Sequence, residues 1–483
     1  MTTASPFPAK SDPIIIVGAG IFGLSTAIHL AQRGYHNVTL LDKQPYESTL
    51  YSYLNGCDAA SADINKIIRS AYGDRALYQN LSFDAIREWN AWNAELSRGG
   101  EAVPPGMSSH DALWINNGDF SGTDATTLPD FERATVENME QAGYRDTQLI
   151  NNEKSHLEMA GTKGFGPMMQ PFSKPLLGIL DTTGGIALAD KACRFALHKA
   201  KRLGVRLVLA PLAGEVTSLI KSANGKVLGV GTADGKSHFA AMTIIACGGW
   251  TPSLVPSLDG IAETTAGSVA LFKIPETSSL RQRFSPHNFP AWSFNIGDGA
   301  EAGLYGFPVD EAGHLKIGYR GTKYTNPRVQ ADGVERSIPV TRWTKDEQIR
   351  TVPAQALKVI RRFVAEYLPE LGREGIDIWV TRLCWYTDSF DNHFVIDRVP
   401  SQEGLMVATA GSGHAFKYLP TIGSWVVDIM EGKGMEREEV LAWAWRSLEP
   451  GQTPVNKIME GSRGERVLGV VPLACDEPPK ARL

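Results

Sequence analysis

The feature that most restricts the fold is a short apolar run followed by three closely spaced glycines near the amino terminus. Residues 14–17, Ile-Ile-Ile-Val, have the length and composition of a buried strand. Gly18 permits a tight turn, Gly20 lets the backbone approach a pyrophosphate, and Gly23 lets a helix pack on the strand. This order predicts a strand, a phosphate-binding turn and a helix that ends near Gly34.

The residues that follow the turn extend this pattern. Ile21 and Phe22 begin the predicted helix, whose first backbone amides can bind phosphate oxygens. A second strand, residues 38–41, ends at Asp42, about 20 residues beyond the glycines, where a carboxylate binds ribose hydroxyls. We interpret the segment as a dinucleotide-binding unit. FAD and NAD remain alternatives at this point, because both contain the same ADP half.

The length of the chain and a second nucleotide-type strand predict more than one domain. The chain has 483 residues, more than one dinucleotide-binding domain needs. The apolar run 243–246, followed by Gly248 and Trp250, is typical of FAD folds whose nucleotide domain is interrupted and resumed. We predict an α/β protein with a discontinuous Rossmann-type FAD-binding domain and a substrate domain built on a mainly antiparallel β-sheet. The predicted ranges are 1–95, 180–255 and 380–483 for the FAD-binding domain, and 96–179 and 256–379 for the substrate domain.

Local patterns add detail to this prediction. Residues 216–219 and 227–231 are predicted to form hairpin strands, and residues 314–319 to form a strand of the substrate domain. A helix is predicted to begin near Asn65. A last helix is predicted over residues 415–431, because apolar residues recur there with helical spacing and a glycine follows.

Composition and charge exclude several classes of protein. Hydrophobic residues make up 43% and charged residues 21% of the chain, as in an ordinary globular protein with a sizeable core. A net charge of -5 and a pI near 6.1 argue against nucleic-acid binding through a broad basic surface. No apolar run reaches membrane-spanning length and the amino terminus is too polar for a secretory signal, so we expect an intracellular protein without membrane binding. The five cysteines form no Cys-x-x-Cys pair, and no metal site is predicted.

Several short segments occur in a distinctive order along the chain. They are the glycine turn, residues 65–73 (Asn-Lys-Ile-Ile-Arg-Ser-Ala-Tyr-Gly), residues 305–308 (Tyr-Gly-Phe-Pro) with 315–319, residues 384–387 (Cys-Trp-Tyr-Thr) and residues 412–417 (Ser-Gly-His-Ala-Phe-Lys). In this order they resemble the monomeric sarcosine oxidase family, which includes pipecolate and saccharopine oxidases and the fungal fructosyl-amino-acid oxidases, or amadoriases. The resemblance spans nearly the whole chain and implies an FAD-dependent amine oxidase.

The resemblance also implies roles for particular residues. Cys384 matches the cysteine that bonds the flavin, through a thioether to the flavin 8α-methyl group. Lys316 matches the lysine that activates oxygen, where a fixed cation stabilises developing negative charge. Arg69 and Lys417 match the pair that binds the substrate carboxylate, and Tyr386 matches an active-site tyrosine.

Further residues are expected to contact the cofactor. Taken alone, Lys66 and Arg69 are better explained as one solvated face of a helix. An ordinary half-buried strand explains Lys316 equally well, and Lys417 would usually lie at the surface. Their joint occurrence in the order of the family favours a site. The residues expected to bind the cofactor are Gly18, Gly20, Ile21, Phe22, Gly23, Asp42, Lys66, Val216, Gly248, Trp250, Cys384, Gly411, Gly413, His414 and Lys417.

The implied activity is oxidation of a secondary-amine amino acid such as pipecolate, saccharopine, sarcosine or another N-methyl amino acid. The neutral amine gives a hydride to the flavin, water hydrolyses the imine, and oxygen becomes hydrogen peroxide. A fructosyl amino acid is an alternative substrate, although Tyr386 stands where amadoriases tend to have a second cysteine. Arg320 replaces the histidine that sarcosine oxidases have four residues after the lysine, so sarcosine itself is not assured. From other classes, a NAD-linked dehydrogenase would leave Cys384 idle, and a non-catalytic flavin-binding protein would not need Lys316.

The last three residues, Ala481-Arg482-Leu483, resemble the peroxisomal address that ends in Ser-Lys-Leu. An oxidase that releases hydrogen peroxide suits that compartment, so we expect a peroxisomal protein, and otherwise a cytoplasmic one. We expect a monomer or weak dimer whose partners are a small amino-acid substrate and oxygen.

Overall fold

The computed structural model describes residues 7–297 and 299–474. The tripeptide at 481–483 lies outside the described residues. The strands, in chain order, are β1 (Ile14–Val17), β2 (Val38–Asp42), β3 (Lys66–Ile68), β4 (Trp114–Ile115), β5 (Asp119–Thr123), β6 (Gln148–Ile150), β7 (Leu177–Asp181), β8 (Gly185–Ala187), β9 (Arg206–Leu209), β10 (Val216–Lys221), β11 (Val227–Thr232), β12 (Ser237–Phe239), β13 (Met242–Ile245), β14 (Ala262–Lys273), β15 (Ala291–Phe294), β16 (Leu304–Gly306), β17 (His314–Tyr324), β18 (Pro327–Val329), β19 (Glu335–Ser337), β20 (Ile378–Ser389), β21 (Val395–Arg398) and β22 (Leu405–Thr409).

Helices connect and cover these strands. In chain order they are α1 (Ile21–Gln32), α2 (Tyr46–Thr49), α3 (Ala76–Ser97), α4 (Asp130–Gln141), α5 (Lys154–Thr162), α6 (Ala189–Arg202), α7 (Thr251–Leu254), α8 (Leu280–Arg283), α9 (Ala354–Tyr367), α10 (Pro369–Arg373), α11 (Ile422–Met430) and α12 (Glu438–Trp443). Among the residues described, no helix combines the length and the apolar character needed to cross a bilayer.

The smaller of the two main sheets is the predicted nucleotide-binding sheet. Its six strands lie in the order β21-β22-β13-β1-β2-β9. The strand β1 pairs in parallel with both β2 and β13, and all four of its residues are buried. An apolar run without polar alternation is what a central parallel strand needs, because both of its faces are covered. Helices pack on Ile14 and Ile16, and the strand β11 of a separate three-stranded sheet, β10-β11-β12, packs on the face of Ile15 and Val17. The predicted order of strand, turn, helix and second strand up to Asp42 is therefore confirmed.

The larger sheet is mainly antiparallel, as predicted for the substrate domain. Its eight strands lie in the order β20-β14-β17-β16-β15-β5-β7-β6. Neighbouring strands pair antiparallel except β15 and β5, which are parallel. One face of this sheet contributes Ile317 and Trp385 to a hydrophobic core that also contains Phe363 of α9. The opposite face is therefore available to line a site.

The division into domains stays a prediction, but the sheets refine its boundaries. The predicted boundary near residue 180 falls inside β7, and the boundary at 380 falls inside β20. Both strands belong to the eight-stranded sheet along their whole length, because their backbone hydrogen bonds run to β5, β6 and β14. Each of these two predicted boundaries therefore divides a strand of the eight-stranded sheet.

Two local expectations are wrong. The segment near Asn65 does not begin a helix: Lys66–Ile68 forms β3, which pairs antiparallel with β8 in a small sheet with β4. The stretch 415–431 is not one helix either. A single 3-10 turn at Ala415–Tyr418 comes first, and α11 begins only after Pro420, which has no backbone N–H to donate within a helix.

Candidate active site

A cavity of about 630 Å³ lies between the glycine turn of the six-stranded sheet and one face of the eight-stranded sheet. Its volume is typical of ligand pockets. The predicted site residues that line it are Gly18, Gly20, Ile21, Phe22, Asp42, Lys66, Arg69, Val216, Gly248, Trp250, Cys384, Tyr386, Gly411, Gly413, His414 and Lys417. The two others lie behind the wall. Gly23 packs beneath Gly18, and Lys316 lies with its ammonium 4.1 Å from the ring centre of Phe307, which does line the cavity.

The nucleotide end of the cavity is a backbone cradle. Gly18 has a φ of 106°, and a Cβ there would overlap the carbonyl oxygen of Ala246. A Cβ at Gly23 would overlap the carbonyl oxygen of Gly18, so the helix could not pack as closely on the turn. The residues present thus leave room for a phosphate group at the N-terminus of α1, as the sequence predicts.

Asp42 completes this cradle from the end of β2. Its carboxylate accepts hydrogen bonds from the backbone amides of Ala19 at 2.7 Å and Gln44 at 2.8 Å. Burial raises the pKa of Asp42, and these two amides oppose that rise. The carboxylate is thereby fixed at the cavity wall, where it can accept hydrogen bonds from ribose hydroxyls. Farther along, Lys43 lies over the ring of Trp250 at 4.1 Å and closes this end of the cavity.

The other end of the cavity is formed by one face of the eight-stranded sheet. Alternate residues of a strand point to opposite faces, so Arg382, Cys384 and Tyr386 of β20 share a face. Lys316 and Arg320 of β17 share that face too. The alternate residues of these two strands point the other way and belong to the hydrophobic core on the opposite side of the sheet: Leu315, Ile317, Tyr319, Leu383 and Trp385. Two strands therefore bring the predicted tether and the predicted oxygen-activating lysine to one surface.

Cys384 lies at the cavity wall and is 4% exposed. Three cations lie close to it. Burial would lower the pKa of Arg382 and of Lys66, but Cys384 and Asp63 raise both values. Cys384 also raises the pKa of Lys316, although burial there has the larger effect. A thiol that borders a cavity and is surrounded by cations is the setting in which reactive cysteines occur.

Lys316 is held in an ionic cluster behind the wall. Its Nζ donates to the carbonyl oxygen of Asn65 at 2.6 Å and lies 3.0 Å from Oδ1 of Asp63. The other oxygen of Asp63 accepts a hydrogen bond from Lys66 Nζ at 2.7 Å. Burial lowers the pKa of Lys316 to about 7, while Asp63 acts to raise it. Burial would raise the pKa of Asp63, but Lys316, Lys66 and Arg382 together lower it.

Arg69 and Lys417 form a second group of cations, on the cavity wall itself. Lys417 Nζ donates to the hydroxyl of Tyr72 at 2.8 Å and to the carbonyl oxygen of Arg69 at 3.3 Å. Both acceptors are uncharged. Burial lowers the pKa of Lys417 well below its ordinary value, and Arg69 lowers it further. Asp119 lies 4.0 Å from the Arg69 guanidinium, and burial raises the pKa of Asp119 to about 6.

His414 lies beside these cations. Its Nε2 donates to the carbonyl oxygen of Asn392 at 3.0 Å, which leaves Nδ1 to accept from the Tyr72 hydroxyl at 3.2 Å. Burial lowers the pKa of His414 well below its ordinary value, and Lys417, Arg320 and Arg69 lower it further. The imidazole is therefore neutral and adds no charge to the site.

Sequence reasoning missed several residues of the site. Asp63, the counter-ion of Lys316, lies three residues before Lys66 and just outside the segment 65–73 that the sequence had singled out. Tyr72 lies within that segment, and Asp119 begins β5. The sequence could have predicted Asp63, because it is the nearest acidic residue before Lys66 and Arg69, two basic residues expected in a buried site. Asp119 had none, since only the fold brings it to Arg69.

A nucleotide-binding parallel sheet, joined by one cavity to an antiparallel sheet that carries a cysteine and buried cations, defines a flavin-dependent oxidoreductase. A family model matches residues 13–429, and the chain belongs to this family, described as FAD dependent oxidoreductase. The NAD-linked alternative is thereby set aside. FAD is the cofactor of the family, and the glycine cradle and Asp42 fit its ADP half.

Individual relatives are similar along most of their length. L-saccharopine oxidase of Schizosaccharomyces pombe is 28% identical, with 90% of this chain and 93% of the relative covered. Peroxisomal sarcosine oxidase of Mus musculus is 26% identical, with 85% and 89% covered. Among solved structures, the deglycating enzyme fructosamine oxidase (Amadoriase II) of Aspergillus fumigatus is 26% identical, with a TM-score of 0.70 and 91% and 90% covered. The chain is therefore similar to oxidases of several substrates.

Proposed function

We propose that the chain is an FAD-dependent oxidase of a secondary-amine amino acid, which yields an imine and hydrogen peroxide. The observation that carries the proposal is the pair Arg69 and Lys417. Both cations line the cavity, and the carboxylate of Asp119, 4.0 Å from Arg69, is the one ion-pair partner that they have among the described residues. A substrate carboxylate would pair with both cations. The names of the saccharopine and sarcosine oxidases support this substrate class.

The chain's own residues supply binding and electrostatics. The amides after Gly18 and the carboxylate of Asp42 would hold the ADP half of FAD, and Lys66 lies at the wall near Cys384. When bound, FAD supplies a hydride acceptor that returns its electrons to oxygen. Arg69 and Lys417 bind the substrate carboxylate and so orient the C–H bond to be broken, which is catalysis by positioning.

Two more residues of the sheet face have proposed roles. Lys316 provides a fixed positive charge where oxygen gains negative charge. Tyr386 lines the cavity two residues from Cys384 on the same face of β20 and contacts the substrate. Burial raises the pKa of Tyr386 well above its ordinary value, so this hydroxyl stays protonated and can act as a hydrogen-bond donor.

A substrate panel tests the activity. Purified protein is mixed with sarcosine, pipecolate, saccharopine and N-methyl amino acids, and hydrogen peroxide is measured. Each amino acid is paired with the amine that lacks its carboxylate. We expect peroxide from at least one amino acid, and at least about tenfold less from its partner, because the partner leaves Arg69 and Lys417 unpaired. Equal rates from both members of every pair would contradict the proposal.

The tether to Cys384 is a separate proposal. Protein precipitated with acid should remain yellow, because a thioether survives denaturation. Cys384→Ala should release its flavin under the same treatment, and Cys247→Ala, which changes another cysteine of the cavity wall, should retain it. Extraction of all flavin from the unaltered protein would disprove the tether.

A fructosyl amino acid is the second candidate substrate. It is favoured by the structural likeness to fructosamine oxidase at 26% identity over nine-tenths of both chains. The same panel decides between the two, with N-fructosyl-glycine and N-fructosyl-valine as added substrates. A kcat/KM for these that exceeds every other value would make deglycation the main activity.

Two further proposals concern the localisation and the oligomeric state of the protein. The name of the mouse relative supports peroxisomal localisation, which microscopy of the tagged protein with and without residues 481–483 would test. We also propose a monomer or weak dimer, which sedimentation over a range of concentrations would test.

A further inference from the structure

Arg320 is a cation of the cavity wall that the proposed chemistry does not use. It lies in β17, four residues after Lys316 and on the same face of the sheet. Its guanidinium packs against Gly413, where an added Cβ would lie 2.8 Å from the nearer guanidinium nitrogen. Tyr305 and Tyr386 stand beside it in the same wall.

Arg320 has no counter-ion within the described part of the chain. Across residues 7–297 and 299–474, no carboxylate oxygen lies within the 4.0 Å of an ion pair with its guanidinium. Asp388 is the acidic residue that affects it most, but the carboxylate of Asp388 already accepts hydrogen bonds from Lys323 at 2.8 Å and Thr265 at 2.6 Å. Burial would lower the pKa of Arg320, yet Tyr386 and Asp388 hold it above its ordinary value.

The guanidinium of Arg320 is half-buried in the cavity wall, and it cannot escape this situation by losing its proton, since arginine stays charged in proteins. Leaving such a charge without a partner in a partly desolvated wall costs free energy, and the cost is removed when an anion binds. The cavity beside Arg320 is the place from which such an anion could come.

Arg69 and Lys417 form the proposed clamp for the substrate carboxylate. The position of Arg320 relative to this clamp indicates which molecule would supply the anion. Arg320 packs at Gly413, and Lys417 lies four residues farther along the same turn. His414 lies between Gly413 and Lys417 in the chain, and the charges of Lys417, Arg320 and Arg69 all lower its pKa. A single substrate carboxylate on Arg69 and Lys417 leaves the Arg320 charge unmatched. The two cationic positions face one cavity, so one ligand can reach both.

We infer that Arg320 binds a second acidic group of the substrate, so that the enzyme selects secondary-amine amino acids that carry two carboxylates. This inference rests on the proposed function. One carboxylate lies next to the reacting carbon and binds Arg69 and Lys417. The second lies on the side chain or on the nitrogen substituent and binds Arg320, with the hydroxyls of Tyr305 and Tyr386 as further donors.

Substrates matched in size test this selectivity. N-methyl-L-glutamate is compared with N-methyl-L-glutamine. N-(3-carboxypropyl)glycine is compared with N-(3-carbamoylpropyl)glycine, in which the carboxylate of the propyl arm is the one replaced. In each pair one carboxylate is replaced by a neutral amide of nearly equal volume. We expect kcat/KM to favour the diacid at least about tenfold in one of the two pairs. That pair then identifies the arm of the substrate that reaches Arg320.

Variants assign the selectivity to Arg320. In Arg320→Met the ratio of diacid to amide should fall to about one, and Arg320→Lys should retain part of it because a cation remains. Lys273→Gln is the control. It removes a positive charge from the neighbouring strand β14, at an exposed position outside the cavity wall, and leaves the pairing of Lys323 with Asp388 intact, so the ratio should stay as in the unaltered protein.

A binding measurement makes the result independent of turnover. Thioether analogues of both diacids and of their amides, with sulfur in place of nitrogen, are titrated by calorimetry. In at least one pair the diacid should bind at least about tenfold more tightly than the amide, and Arg320→Met should abolish the difference.

The outcomes separate the inference from the proposed function. Oxidation of secondary-amine amino acids with equal kcat/KM for acids and amides, unaltered in Arg320→Met, would overturn the role of Arg320 and leave the oxidase standing. If no secondary amine is oxidised, the proposed function fails, and calorimetry decides alone: equal binding of diacid and amide analogues would overturn the inference as well.

Discussion

The two buried lysines of the site, Lys316 and Lys417, differ in their counter-ions. Both belong to the wall region between the sheets, and burial lowers the pKa of each. Lys316 has a carboxylate of its own chain, Asp63, at 3.0 Å. Within the described part of the chain, Lys417 has only uncharged acceptors, the Tyr72 hydroxyl and the carbonyl oxygen of Arg69, and the charge of Arg69 lies next to it.

This difference indicates what each lysine is for. A cation with an internal counter-ion is stabilised without a ligand, so Lys316 can hold its charge at pH values below its pKa whether or not a ligand is bound. A cation without one is best stabilised when a ligand brings the missing charge. The region around Lys417 and Arg69 is therefore suited to bind an anion reversibly, and the region around Lys316 is not.

The largest expected effect comes from removing the fixed charge. Lys316→Met should slow reoxidation of the reduced flavin by roughly 3 to 6 kcal/mol of lost charge stabilisation, or several orders of magnitude. Anaerobic reduction by substrate should change much less, because Lys316 does not line the substrate cavity. Stopped-flow measurement of the two half-reactions checks this. Equal losses in both would remove the distinction between the two lysines.

Removing either cation of the clamp should have a smaller effect on a different half-reaction. Arg69→Ala and Lys417→Ala should each weaken binding of carboxylate inhibitors by roughly 2 to 5 kcal/mol, since the anion is left poorly paired. The double variant should lose less than the sum, because both residues serve one group. Titration of the flavin spectrum with inhibitor gives the dissociation constants. Undiminished affinity in both single variants would make Lys417 a structural lysine.

Replacing Asp63, the counter-ion of Lys316, should shift the pH dependence of flavin reoxidation. With a pKa of about 7, Lys316 loses its proton as pH rises through that value, so reoxidation should slow above it. Asp63 acts to raise this pKa, so Asp63→Asn should move the decline to lower pH, while Asp63→Glu should leave it near its original position. The pH profile of reoxidation, measured apart from reduction, checks both. A profile that Asp63→Asn leaves in place would show that the ion pair does not control Lys316.

The smallest expected effect concerns the uncharged support of Lys417. Tyr72→Phe removes the hydroxyl that accepts from Lys417 Nζ and from Tyr418. One hydrogen bond of this kind contributes about 1 kcal/mol, so inhibitor binding should weaken several-fold. The same substitution should leave reoxidation almost unaltered, because Tyr72 supports only the clamp. Slower reoxidation in Tyr72→Phe would mean that the two regions are coupled.

The sequence predicted the nucleotide half of the molecule in detail and the substrate half mainly through resemblance. The turn after β1 is local: its glycines are needed because the backbone itself passes close to Ala246 and to the phosphate site. The pairing of Arg69 with Lys417 is not local, since these residues are 348 positions apart and meet only when β3 lies beside the turn after Gly413.

The wrong helix near Asn65 has a physical explanation. Lys66, Ile67 and Ile68 fit a helix by spacing, but the backbone hydrogen bonds of β8 are available to them, and tertiary pairing decides between the two structures. The same pairing turns Lys66 toward the cavity and Asp63 toward Lys316, which no periodicity within the segment could indicate.

The alternation of residues along β17 has a consequence for how such a protein can acquire a new substrate. Lys316 and Arg320 are two pleats apart, roughly 13 Å along the strand, on a face whose opposite side is a packed core. On the roles proposed for these two residues, replacing the side chain at 320 should change the recognition of the substrate without repacking Ile317 or Tyr319 and without displacing the ammonium of Lys316. The strand would then keep selectivity and oxygen chemistry at separate positions, so a library randomised at position 320 alone should yield enzymes with different substrates and the same oxidative half-reaction.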